Sequence, residues 1–148
     1  MKKVSLFMMA ISLAFVSCNK DDDDDNNQNT DTIKPVVTVM SPSGHSEFAP
    51  GDTIHFEGEA VDDKALSEMK VDIHWAGDGH GHGGKRASVA EKWDEEFIFE
   101  LSGREYHVHE HLTIPANADT GMHHLIVTAL DKAGNQSEFV EVDFHVEK

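Results

Sequence analysis

The chain has 148 residues, with 12 Lys and Arg against 28 Asp and Glu, a formal net charge of −16 with histidine neutral. So acidic a surface repels nucleic acid phosphates and anionic lipid, which argues against nucleic acid as a partner. The single cysteine, Cys18, excludes an intramolecular disulfide and a thiolate-rich metal cluster, whereas 11 histidines are an unusual share.

Met1-Lys2-Lys3 is a positive n-region, and Val4 to Val16 is a 13-residue apolar run. That run is too short to span a bilayer as a helix and has the length of a secretory leader. It ends in Phe15-Val16-Ser17-Cys18, which resembles the lipobox of bacterial lipoproteins, with Phe15 standing where leucine is commonest. The resemblance implies cleavage before Cys18 and acylation of its thiol, so that outer-membrane lipid becomes a partner. Asn19-Lys20 and Asp21 to Asp25, followed by the Asn- and Gln-rich run to Thr30, read as a self-repelling, disordered tether. A lysine followed by acids behind a lipidated cysteine resembles the signal that sends Bacteroidetes lipoproteins to the outer face of the outer membrane. The expected organisation is a signal peptide over 1–17, the lipidated cysteine and tether over 18–32, and one folded domain over 33–148.

From Ile33 onward short alternating runs are separated by Gly, Pro, Asn and Asp clusters. Strands are predicted at Pro35–Met40, Thr53–Val61, Met69–Trp75, Trp93–Leu101, Tyr106–Ile114, Met122–Leu130 and Phe139–Val146. Period-2 alternation, turn signals every 8 to 12 residues and no long amphipathic helix predict an all-β, antiparallel sandwich of about seven strands. Leu112-Thr113-Ile114-Pro115 through Gly121, then Asp131-Lys132-Ala133-Gly134-Asn135, resembles the E–F corner and F–G hairpin of bacterial immunoglobulin-like domains. The expected fold is therefore immunoglobulin-like, a scaffold that hosts many functions and proves none.

Eight of the 11 histidines lie between residues 74 and 124. In the fifth predicted strand, Tyr106, Val108, Leu112 and Ile114 share the inward phase, so His107, His109 and His111 face solvent about 7 Å apart. His74 is out of phase with Val71, Ile73 and Trp75 and points outward. In the sixth strand Leu125, Val127 and Ala129 point inward, which turns His124 outward and His123 inward. In an immunoglobulin-like sandwich the third and sixth strands are antiparallel neighbours, so His74 and His124 are expected side by side on the outer face. The loop after Trp75 holds five glycines in nine residues and carries His80 and His82, which can curl back over that pole. His109 and His111 are second candidates, since the fifth strand ends at the same pole. His45, His55 and His145 have no such company. Imidazole suits zinc, copper, nickel or iron, with zinc or copper the expected ion.

Three segments go beyond generic patterning: Ile73-His74-Trp75-Ala76-Gly77-Asp78-Gly79-His80-Gly81-His82, His109-Glu110-His111-Leu112-Thr113-Ile114-Pro115 and Gly121-Met122-His123-His124. Together they resemble the His-rich Bacteroidetes lipoproteins of the domain of unknown function 4625 family, from about Ile33 to the end. That family often has tyrosine where this chain has His123. The resemblance carries no activity, so function rests on the histidines.

The expected function is a surface-exposed lipoprotein that binds a transition metal, or a metal-bearing ligand, for uptake or sequestration. Its ligands would be His74, His80, His82 and His124, with Asp72 or Asp78 orienting an imidazole and an outer-membrane receptor or transporter taking the cargo. The alternative is an adhesion or glycan-associated module with incidental histidines, which would need exposed aromatic platforms. Calcium is a third reading, because Asp62-Asp63 and Asp131…Asn135 resemble corner acids of calcium-binding sandwiches, although Asp at a turn also serves plain turn chemistry. No nucleophile elbow, phosphate loop or paired-carboxylate site appears, so no enzyme is expected.

Overall fold

The alternating runs close into two packed sheets in the computed structural model, which describes residues 31–76 and 93–148. Eight strands follow in order: β1 (Val36–Ser41), β2 (Ser46–Phe48), β3 (Thr53–Val61), β4 (Leu66–Trp75), β5 (Asp94–Glu100), β6 (Glu105–Thr113), β7 (Gly121–Asp131) and β8 (Val140–Val146). One sheet has the order β1-β3-β6 and the other β2-β8-β7-β4-β5. This is an immunoglobulin-like β-sandwich. Seven strands match the predicted runs. The eighth, β2, is three residues long and pairs in parallel with β8. So short a segment carries no readable periodicity; its pairing alone makes it a strand.

Alternation places one side chain in two in the interior. Rows of cross-strand partners stack there: Ile73 beside Leu125, Val71 beside Val127, and His123 beside Phe144. Ile54, Phe56, Met69, Ile114 and Phe144 are wholly buried and, with these rows, weld the two sheets together. Apolar burial of this kind is the main favourable term, at about 25 cal/mol per Å². Gly58 sits in this interior with no side chain. A Cβ there would stand 2.8 Å from the Phe56 ring and 3.3 Å from Met69 Sδ, so the small residue lets β3 approach the opposite sheet.

The β7–β8 connection confirms the Ala133-Gly134-Asn135 turn. Gly134 takes a φ of 93°, a left-handed conformation that glycine adopts without steric cost. Asn135 donates its backbone N–H to Asp131 Oδ1 at 2.8 Å and its amide to Oδ2 at 2.6 Å. Burial pushes the Asp131 carboxyl up, but these donors and the Ala133 and Gly134 N–H groups outweigh it and hold the group below its ordinary value. Both carboxylate oxygens thus take part in turn chemistry.

Two aromatic placements follow the periodicity but differ in burial. Tyr106 keeps the inward phase but is a third exposed, because β6 is an edge strand and leaves its end uncovered. Trp93 is buried against His123 and Phe144, at ring separations of 5.8 and 6.0 Å, and donates its indole N–H to Glu95 at 2.9 Å. His123 lies at 0% exposure with Nδ1 3.2 Å from the Gly121 carbonyl, and nothing among the described residues reaches its Nε2.

Replacing Gly58 by Val should cost about 1–3 kcal/mol through overpacking, read as a lower urea midpoint at unchanged slope. Desolvation lowers the His123 pKa below its ordinary 6.5, against weaker upward pulls from the Gly121 carbonyl and Asp119. The unfolded chain therefore binds the proton first, so stability is full above about pH 6.5 and declines as pH falls toward the lowered folded value. Urea melts in chelator should show that decline in the parent protein and a shallower one in His123→Phe.

Candidate metal centre

β4 lies between β5 and β7, and β7 lies between β4 and β8. Antiparallel register then sets one row of outward side chains across four strands: Asp94 opposite His74, His74 opposite His124, and His124 opposite Asp143. The next row includes Glu96, Asp72, Ile126 and Glu141. Two imidazoles at the centre of a row are thus flanked by carboxylates. Their ring centroids stand 5.4 Å apart. Two imidazoles on one tetrahedral ion, with metal–nitrogen bonds of about 2.0–2.1 Å, have centroids roughly 5 Å apart, which is this ring spacing; ligand atoms of His124, Glu141 and Asp143 also lie within 4.8 Å of one another.

The carboxylates also orient the rings. His74 Nδ1 lies 2.8 Å from Asp72 Oδ1, and His124 Nδ1 lies 2.7 Å from Asp143 Oδ1 and 3.4 Å from Glu141 Oε1. A carboxylate only accepts, so in the neutral ring Nδ1 carries the proton and Nε2 the lone pair. Such a carboxylate–histidine pairing fixes the tautomer and raises the basicity of the ligating nitrogen. Side-chain exposure of 36% at His74 and 23% at His124 keeps both rings reachable from solvent. One row farther along the same face, Met122 stands opposite His145.

His109 and His111 do not join this pair. β6 belongs to the three-stranded sheet, whose outer face is the far side of the sandwich, a sheet-to-sheet distance of about 10 Å and two side-chain layers away. There His111 is the cross-strand partner of His55, with rings 4.1 Å apart, and His109 lies 6.2 Å from His111 and 6.3 Å from His55. His109 and His107 face Glu57 and Glu59 at 3.6 and 3.4 Å. His55 therefore has company that its isolation in the sequence conceals; only the β3–β6 register reveals it. His80, His82, Asp78 and Cys18 lie outside the described residues.

The structure adds Asp143 and Glu141 to the site. Both come from β8, and the only signal of either in the sequence is the β8 alternation combined with the β7–β8 register. His45 stands apart, exposed at a φ of 63°, with its N–H donating to the Asp143 carbonyl at 2.6 Å.

Among solved structures the fold is similar to the fibronectin(III)-like modules of CbhA from Clostridium thermocellum, at 17% identity over 78% of this chain and 47% of that one, TM-score 0.48. It is also similar to OgpA from Akkermansia muciniphila, at 14% identity over 77% and 29%, TM-score 0.49. A third likeness is to the PKD domain of a peptidase from a Thermoplasmatales archaeon, at 18% identity over 78% and 94%, TM-score 0.47. This chain spans less than half the length of the first two. No curated protein matches the sequence. A family model, in contrast, matches residues 16–146, and the chain belongs to that family, the domain of unknown function DUF4625.

Proposed function

We propose that the protein is a lipid-anchored outer-membrane lipoprotein, facing the cell exterior, that binds zinc or copper, or a ligand bearing such an ion, for uptake or sequestration. The observation that carries the reading is the His74–His124 pair, in which carboxylates hold both Nδ1 atoms and leave Nε2 of each ring as the donor nitrogen. Imidazole nitrogen selects a borderline transition metal over calcium or magnesium. Asp72 and Asp143 act on the metal through the rings they orient. The net charge of −16 draws cations toward this face and, with Cys18 acylated, leaves the anchor rather than the domain to meet the membrane. A receptor or transporter in the same membrane would take the cargo.

The adhesion or glycan-associated reading asks for exposed aromatic platforms. Trp93 is 3% exposed and packed into the core, so it offers none. A non-catalytic binder fits better than an enzyme, because no nucleophile elbow, phosphate loop or paired-carboxylate site accompanies the His74–His124 pair among the described residues.

Calorimetric titration with zinc should give a single site in the parent protein. His74→Ala and His124→Ala should each lower affinity at least tenfold, Asp143→Asn about 10–100-fold, and His45→Asn not at all. Acid should release the metal, since only neutral imidazole coordinates. Unchanged binding in both histidine variants would refute the site, and a loss confined to His55, His109 and His111 variants would move it to the other sheet. For the anchor, intact-mass analysis should find Cys18 N-terminal and acylated, the protein should partition into detergent, and Cys18→Ala should release it from the membrane; an unmodified cysteine would end that part of the reading.

A further inference from the structure

At the opposite end of β4 from the histidines, the loop joining β3 to β4 holds Asp62 and Asp63. Asp62 is 6% exposed. Its Oδ1 accepts the N–H groups of Lys64 at 2.9 Å and Ala65 at 2.7 Å, which fixes the loop. Its Oδ2 is buried and accepts nothing among the described residues, and the same holds for Asp63 Oδ1. The loop cannot easily swing to expose them. The Asp62 N–H donates to the Arg104 carbonyl at 2.7 Å, and the Arg104 guanidinium donates to the Asp63 carbonyl.

Asp31, just before β1, completes the cluster. One carboxylate oxygen from each of Asp31, Asp62 and Asp63 lies within 4.8 Å of the others. The Asp31 side chain is 8% exposed, and its Oδ1 accepts the Ile33 N–H at 3.1 Å. The Asn135 amide donates to the Asp31 carbonyl at 3.1 Å, so the turn built on Asp131 pins the chain in place. Lys64 Nζ stands 3.9 Å from Asp31 Oδ1, beyond direct hydrogen-bond range, and the Arg104 guanidinium is held on the Asp63 backbone carbonyl. Burying carboxylate oxygens without donors is among the costliest arrangements a protein can hold, and a cation among them removes the penalty.

We propose that Asp31, Asp62 and Asp63 form a calcium-binding site that ties the segment entering β1 to the β3–β4 loop. The donors are all carboxylate oxygens, which a hard cation prefers. Calcium fits better than magnesium, because three carboxylates from two segments, completed by water, match its irregular coordination of six to eight oxygens rather than a strict octahedron. Asp131 is not part of the cluster: the oxygens within 4.8 Å of one another belong to Asp31, Asp62 and Asp63, and Asp131 holds the Asn135 turn. The site is independent of the histidine face.

The test is thermal melting of the purified full chain, stripped with EGTA and then titrated with calcium chloride. Calcium at about 100-fold above its Kd should raise Tm by on the order of 10 °C. Asp62→Asn, which keeps an Oδ1 acceptor for the loop while removing the charge, should abolish the shift. Asp31→Ala and Asp63→Asn should do the same, and they carry the test if Asp62→Asn fails to fold. His74→Ala and His124→Ala should keep the full shift, which separates this site from the transition-metal reading. The proposal is overturned if calcium leaves the parent Tm unchanged, if the shift survives in Asp31→Ala and Asp63→Asn, or if magnesium produces a shift of equal size.

Discussion

The antiparallel pairing of β4 with β7 is the constraint on which the rest of the molecule depends. Its register sets Val71 against Val127 and Ile73 against Leu125 on the inner side, and His74 against His124 on the outer side. Because side chains alternate with a period of two, the same slip that would expose the core would bury the imidazoles. The hydrophobic effect thus selects the register, and the register positions the polar row. The site needs no fold-specific device of its own; it is the outer side of a core that must pack in one way.

The two ends of β4 carry opposite side-chain chemistry. At one end neutral nitrogen donors are backed by carboxylates, and at the other end carboxylate oxygens face one another. A rise of about 3.3 Å per residue along the ten residues of β4 separates them by roughly 30 Å, too far for one ion to serve both. A strand that traverses the whole sandwich therefore carries a histidine pair near one end and an acidic cluster beyond the other, each independent of the other.

Buried polar groups are few among the described residues, and each has a distinct reason. Asp131 is satisfied by Asn135, and Ser137 accepts the Ala129 N–H at 2.9 Å, where its hydroxyl stands in for a ladder carbonyl. His123 is tolerated because it is neutral, donates to Gly121 and stacks on Phe144 with ring centroids 5.4 Å apart. Asp62 differs from all of these, since a carboxylate cannot shed its need for positive partners by choosing a tautomer.

The sequence by itself determined seven of the eight strands, their faces and the class of fold, because apolar alternation is a local signal that every residue of a strand repeats; β2 was found only by its pairing with β8. It also determined that His74 and His124 point outward and that His123 points in, since phase is read within one strand. Their adjacency was legible once the fold class supplied which strands are neighbours. Only the tertiary structure decided what stands beside them. Asp143 and Glu141 reach His124 through the β7–β8 register, and His55 reaches His111 through the β3–β6 register. His109 and His111, near the histidine pole in sequence terms, fall on the far side because sheet membership is set by long-range pairing. Asp31 meets Asp62 and Asp63 across some thirty residues for the same reason. Periodicity reports which way a side chain faces; which neighbours it meets depends on contacts between strands distant in the chain, and no local pattern encodes those.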